Sequence, residues 1–222
     1  MIWNIPNILT VARLLAAPAL GLAFVLIARP AADWVALGLF VGASLTDWFD
    51  GYLARRWNQT SRFGAMLDPI ADKAMVIIAL ALVIGLSGLN PWLLVPGTVI
   101  LFREVFVSGL REFLGADAGR LKVTRLAKWK TTAQMVAITL LLLSLGLQDT
   151  HYHIYRSLEP AAYEAALRSG PDDWNRTWQI VQASWLTGLA GATLFWIAAG
   201  LTAITGWDYF RKSLPFLSED RT

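Results

Sequence analysis

Residues 74–102 read AMVIIALALVIGLSGLNPWLLVPGTVILF, twenty-nine residues without one Asp, Glu, Lys or Arg. A helix needs only about 20 apolar residues to cross the hydrocarbon core of a bilayer, and this run is well beyond that. It divides at Gly85–Trp92 (GLSGLNPW), where Gly, Asn and Pro mark a tight turn between two spans. Four more uncharged runs follow the same pattern, at 14–28, 34–46, 131–148 and 177–207. Hydrophobic residues make up 56% of the 222-residue chain and charged residues 16%, where soluble domains average roughly 45–50% and about 25%. The chain is therefore predicted to be an all-α, polytopic membrane protein. A soluble enzyme built around a buried core is excluded. With no cysteine, disulfides, thiolate nucleophiles and cysteine-based metal sites are excluded as well.

Six spans are predicted, at about 8–28, 34–56, 69–87, 91–113, 129–147 and 182–208, within a single membrane-embedded domain covering 1–222. The opening residues show neither a basic n-region nor a cleavage site, so removal of a signal peptide is not expected. An even number of spans puts both termini on one side. That side holds fifteen Lys and Arg, counting those just inside span ends, and the other holds four: Arg29, Arg156, Arg168 and Arg176. Basic residues favour the cytoplasm, so both termini are predicted to be cytoplasmic. Topology thus accounts for the pI near 9.4, and no nucleic-acid partner is expected. The stretch 148–181 is predicted to be an outer loop rich in aromatic residues, with a short helix at Glu159–Arg168 and a second helix start at Pro171-Asp172-Asp173. His151 and His153 within it have two readings, metal ligands or ordinary members of an interfacial loop.

Charges inside spans are costly and face a cavity or a partner. Asp47 and Asp50 near the end of span 2 are i, i+3, while Asp68 and Asp72 near the start of span 3 are i, i+4, so each pair shares a helix face. A short connection makes the two spans antiparallel neighbours, and the four carboxylates are predicted to converge at one depth. Such a set suits hard divalent cations, Mg²⁺ or Mn²⁺, and two of them would clamp a phosphoryl displacement. Plainer readings stay open. Asp68 before Pro69 also fits a helix N-cap. Gly51 and Ala54, on the stripe of the first Asp pair, fit either close approach of a bulky ligand or helix packing. Asp47 and Asp50 fit an ion network with Arg55 and Arg56.

From Asp47 to Asp72 the chain matches D-x2-D-G-x2-A-R-x8-G-x3-D-x3-D at every fixed position: Asp47, Asp50, Gly51, Ala54, Arg55, Gly64, Asp68 and Asp72. This is the signature of the CDP-alcohol phosphatidyltransferases, and the chain resembles that family. The resemblance continues through Asn4–Thr10 (NIPNILT), Arg13, Pro18, Arg103-Glu104, Gly109–Glu112 (GLRE) and Lys128–Gln134 (KWKTTAQ), covering most of 1–147. These flanks are similar to bacterial members that move the phosphatidyl group of CDP-diacylglycerol to sn-glycerol 3-phosphate. The outer stretch 148–181 is longer than in those members.

What the resemblance implies is a six-span fold in the bacterial inner membrane with a cytoplasmic active site, divalent-metal dependence and a homodimer. Asp47, Asp50 and Asp68 resemble metal ligands, and Asp72 resembles a ligand that also serves as general base. Gly51, Ala54, Arg55 and Gly64 resemble the floor for the CDP group, completed by Asn7, Thr10 and Arg13. An arginine more than a turn inside span 1 needs an anionic partner, either the nucleotide or the Asp cluster. Arg111, Lys130 and Gln134 are candidates for holding an acceptor phosphate, with solvated positive-inside charge as the alternative for the two cations. Transfer to serine, an inositol phosphate or another alcohol is the alternative activity within the family. A carboxylate-lined transporter is the alternative outside it.

Overall fold

The computed structural model describes residues 5–57, 61–115, 125–173 and 176–217; within these, the side chains of Pro6, residues 48–57, residues 125–128 and Leu217 lie outside the description. The described residues form seven α-helices and no strand: α1 (Ile5–Leu26), α2 (Ala31–Trp57), α3 (Arg62–Leu86), α4 (Pro91–Leu114), α5 (Arg125–Ser157), α6 (Pro160–Ser169) and α7 (Thr177–Leu217). Local sequence explains several of the boundaries. The turn expected between spans 3 and 4 is present: α3 ends at Leu86, Gly88 and Leu89 take positive φ of 64° and 59°, and the Asn90 side chain caps α4 with Pro91 in its first turn.

Five of these helices are long and apolar enough to cross a membrane: α1 from Asn7, α3, α4, α5 from Trp129, and α7 to Phe216. Six such spans were expected. The remaining candidate, α2, has 27 residues but carries Asp33 at its start and Asp47, Asp50, Arg55 and Arg56 near its end. The side chains of residues 48–57 lie outside the description, so α2 does not enter that comparison over its full length.

The stretch 148–181 corrects the expected loop. Helix α5 continues to Ser157, α6 follows with Glu159 as N-cap and Gly170 at φ 61° after it, and one 3₁₀ turn covers Gly170–Asp172. Helix α7 then begins at Thr177, whose backbone N–H donates to the Asp173 carboxylate. Polar residues end the apolar run of α5 without ending the helix, because tertiary partners hold them. Trp34 Nε1 donates to Thr150 Oγ1 at 3.3 Å, Arg29 Nη1 lies 3.6 Å from Asp149, and His151 Nε2 is 2.8 Å from the Tyr163 hydroxyl. His153 instead faces Asp149 at 3.7 Å, so the two histidines have separate partners and do not converge on a metal.

The core is one cluster shared by α1–α5 and α7, with Leu20, Phe40, Met75, Leu80, Ile100, Ile138 and Phe195 buried among many alanines. Lipid offers no hydrophobic drive for helices to associate, so close backbone approach over small residues has to supply the packing. Helix α1 packs on α2 and α3, α4 on α7, and α5 most extensively on α7. At that last contact a Cβ on Gly191 would stand 3.1 Å from the backbone nitrogen of Leu141 and 3.0 Å from its Cγ.

Because backbone cannot yield as a side-chain tip can, Gly191→Ala should push α5 from α7 and cost about 1–3 kcal/mol. Gly200→Ala on the same helix meets nothing within 4 Å and should be neutral or slightly stabilising. Thermal unfolding in detergent distinguishes the two; equal midpoints would mean that the approach is not tight.

Candidate active site

The N-terminal half of α1 presents polar residues to the bundle at helical spacing. Asn7, Thr10 and Arg13 are buried at 2–3% exposure, on the face that continues as Ala17 and Leu20. A polar stripe in a membrane helix is tolerated only where every group finds a partner. The Asn7 side-chain oxygen accepts from Ser61 Oγ at 2.7 Å, Thr10 Oγ1 donates to Asp68 Oδ1 at 2.7 Å, and Arg13 Nη1 donates to Asp47 Oδ1 and Asp72 Oδ1, each at 2.6 Å.

Ser61 is also the N-cap of α3, accepting from the Gly64 backbone N–H at 2.9 Å. The N-cap reading of Asp68 is thereby overturned: α3 starts at Arg62, so Asp68 and Pro69 sit inside the helix. Gly64 has a steric reason, since a Cβ there would lie 2.7 Å from Asn7 Oδ1. Its absence lets α3 come close enough to α1 for Asp68 and Asp72 to reach Thr10 and Arg13.

One guanidinium nitrogen thus serves carboxylates from two helices. The two oxygens lie no further from each other than twice their 2.6 Å distance to that nitrogen. Arg13 is buried while the Asp47 and Asp72 side chains are each 51% exposed, so both carboxylates present a second side to solvent. Among the described residues, Asp47, Asp68 and Asp72 outnumber the one cation seen bonded to them, Arg13. An all-oxygen, net-negative donor set fits a hard divalent ion in its chemistry. No group of three or more Asp, Glu or His in a metal-holding arrangement is found among the described residues. The side chains of Asp50, Gly51, Ala54 and Arg55 lie outside the described residues, although α2 carries their backbone.

Asp72 also borders a second compartment. A cavity of about 540 Å³ opens between α3, α4 and α5, with Asp72, Lys73, Arg103, Glu104, Arg111 and Lys130 on its walls together with Gln134. Four cations there face two acids. The structure brings Arg111, Lys130 and Gln134 to one space and gives each cation a support absent from the sequence reading. Lys130 Nζ donates to Glu104 Oε1 at 2.5 Å and Arg103 Nη1 donates to the same oxygen at 3.0 Å. The Arg111 guanidinium stands 5.2 Å from the centroid of the Tyr209 ring on α7, a cation–π contact. Lys73 Nζ reaches Ser108 Oγ on α4 at 2.5 Å. Sequence reasoning assigned no role to Glu104, Lys73 or Tyr209. For Glu104 a signal existed, an acid within a helix apolar enough to span.

Residues 3–169 match the sequence pattern of the CDP-alcohol phosphatidyltransferase family, and the Asp47–Asp72 signature lies inside that match. The chain belongs to this family. This CDP-alcohol phosphatidyltransferase is 58% identical over 221 residues, covering 100% of both chains, to a Cereibacter sphaeroides protein named CDP-diacylglycerol–glycerol-3-phosphate 3-phosphatidyltransferase. Proteins of the same name from Rickettsia bellii and Escherichia coli are also similar. The first is 38% identical over 94% of both chains. The second is 45% identical over 64% of this chain and 78% of its own length.

In this phosphatidyltransferase, removing the shared guanidinium leaves two facing carboxylates without their cation. Unpairing a fully buried ion pair costs about 3–5 kcal/mol; half-exposed carboxylates should bring the figure for Arg13→Met to roughly 1–3 kcal/mol. Asp72→Asn added to Arg13→Met should recover part of the loss, since one of the opposed charges is then gone. Unfolding midpoints that fall additively would show that Arg13 and Asp72 are not coupled.

Proposed function

We propose that this enzyme transfers the phosphatidyl group of CDP-diacylglycerol to sn-glycerol 3-phosphate, releasing CMP. The observation that carries the reading is that Asp72 belongs at once to the carboxylate cluster and to a basic cavity lined by Arg111 and Lys130. A base at one end and cations along the wall suit an acceptor that carries both a hydroxyl and a phosphate. The relatives' shared name agrees.

In the proposed reaction Arg111, Lys130 and Gln134 hold the acceptor phosphate and turn its hydroxyl towards Asp72. The Asp72 carboxylate takes the hydroxyl proton, the freed oxygen bonds to the phosphorus bearing diacylglycerol, and the bond from that phosphorus to the CMP oxygen breaks. Asn7, Thr10, Gly64 and the α2 residues Gly51, Ala54 and Arg55 form the floor for the CDP group, with Arg13 fixing the cluster beside it. Asp47, Asp50, Asp68 and Asp72 would hold Mg²⁺ or Mn²⁺, two ions in all, which when bound supply charge stabilisation at the diphosphate. Much of the acceleration comes from holding acceptor and donor in line. The enzyme works as a homodimer in the bacterial inner membrane, with site and termini cytoplasmic, where glycerol 3-phosphate is available.

Purified protein given CDP-diacylglycerol and a panel of acceptors should release CMP with glycerol 3-phosphate. Turnover with serine or an inositol phosphate instead would overturn the acceptor. Charge-assisted contacts to phosphate contribute roughly 1.5–3 kcal/mol, so Lys130→Ala and Arg111→Ala should each raise the acceptor KM about 10- to 150-fold with the donor KM near the parent value. Excess chelator should abolish turnover and Mg²⁺ or Mn²⁺ should restore it. Full activity in chelator would contradict the metal assignment.

Sidedness has its own check, made simple by a chain without cysteine. Cysteine placed at the exposed Ser157 should react with an impermeant reagent from outside, and cysteine at the exposed Glu112 should not. The reverse pattern would invert the orientation.

A further inference from the structure

Glu104 is a partly buried acid within a helix apolar enough to cross the membrane, and neither the signature nor the proposed chemistry uses it. Its side chain is only 15% exposed, and a carboxylate so placed needs strong partners. It has two on one oxygen: Arg103 Nη1 from its own helix at 3.0 Å and Lys130 Nζ from α5 at 2.5 Å. Helix α7 makes room for this arrangement, because a Cβ on Gly206 would come within 2.9 Å of Arg103 Cγ. The backbone of the same residue is tied towards α3. Ser108 Oγ donates to the Glu104 carbonyl at 2.5 Å and accepts from Lys73 Nζ at 2.5 Å, and Lys73 adjoins Asp72 in the chain.

A lysine ammonium is a point charge on a flexible four-carbon stem and does not fix its own position. Here the stem is buried, one N–H direction is committed to Glu104, and the two remaining donors are left for the cavity. We propose that Glu104 is a positioning residue for the acceptor. It sets Lys130 at a fixed place on the cavity wall relative to Asp72, so that the phosphate end of the acceptor registers with its reacting hydroxyl, and it does not itself touch the acceptor. The inference rests on the reaction proposed above.

A carboxylate beside an anion pocket has two opposed effects: it repels the incoming phosphate, and it holds the cation that attracts it. Positioning means that the second effect wins while Lys130 is present and vanishes when Lys130 is removed. Glu104→Gln should therefore raise the acceptor KM by about tenfold or more, as loss of one charge-assisted contact does, and lower kcat, with the donor KM within about twofold of the parent. In a Lys130→Met background the same substitution should leave the acceptor KM unchanged or reduce it, since the lysine that Glu104 positions is gone while its repulsion of the phosphate stays. An equal rise in both backgrounds, an unchanged acceptor KM in the parent background, or a donor KM that climbs in parallel would each overturn the proposal.

Should Glu104→Gln fail to fold in detergent, Glu104→Asp is the second variant, keeping the charge but withdrawing it by one methylene. A raised acceptor KM with parent-like donor KM is expected, and parent kinetics would overturn the role. CMP release by the unmutated enzyme with glycerol 3-phosphate tests the underlying reading separately. If another phosphorylated acceptor is the one used, the same measurements made with that acceptor still decide the role of Glu104.

Discussion

A single arginine nitrogen holds the site together. Arg13 of α1 donates to Asp47 of α2 and Asp72 of α3 at the same 2.6 Å, and it is buried as it does so. Two like charges brought this close by separate helices repel strongly where the dielectric is low. A cation between their acids relieves that repulsion, and here it arrives on a third helix. Much of the local sequence follows from this arrangement. Asn7 and Thr10 occupy the same buried stripe as Arg13 because every group facing the acids must bond to them or to their frame. Gly64 and Ser61 bring the start of α3 to α1 so that Asp68 and Asp72 arrive at the correct depth.

The second compartment inherits its position from the first. Asp72 reaches towards Arg13 from one side and borders the α3–α4–α5 cavity on the other, so whatever fixes the cluster also fixes one wall of the cavity. The cations opposite are each held by a specific support: Lys130 by Glu104, Arg111 over the Tyr209 ring, and Lys73 on Ser108. A cavity with more cations than acids, fixed beside an acid of the cluster, suits an anionic acceptor far better than a neutral alcohol. An ion-conducting pathway has no need for such a basic chamber.

Where the sequence was legible, a local signal was strong. Asn90-Pro91 marks the start of α4 because cap and first-turn proline act within one turn, and Pro160 in the first turn with Gly170 past the end encloses α6 just as locally. The acidic pairs were readable because 3.6-residue periodicity puts i, i+3 and i, i+4 on one face. Failures occurred where distant contacts decided the outcome. Asp68-Pro69 imitates a helix start, yet Ser61 capped α3 earlier with help from Asn7, 54 residues away. The polar end of α5 resembles a loop until Trp34 and Arg29 are seen to hold Thr150 and Asp149. Glu104 and Lys130 are 26 residues apart with a connection between them that carries no pairing signal, so neither predicts the other. For α2 the assignment as a span rests on the sequence, because the side chains of residues 48–57 lie outside the description.

The central claim is that the carboxylates gathered around Arg13 are the metal-binding half of a phosphatidyl-transfer site. Anomalous scattering from crystals grown with Mn²⁺ and CDP-diacylglycerol tests it most directly. The account predicts Mn²⁺ peaks at Asp47, Asp68 and Asp72, with the guanidinium of Arg13 drawn off at least one of the two carboxylate oxygens it now shares. Peaks confined to other parts of the chain, with Arg13 still bridging Asp47 and Asp72 beside bound CDP-diacylglycerol, would contradict it.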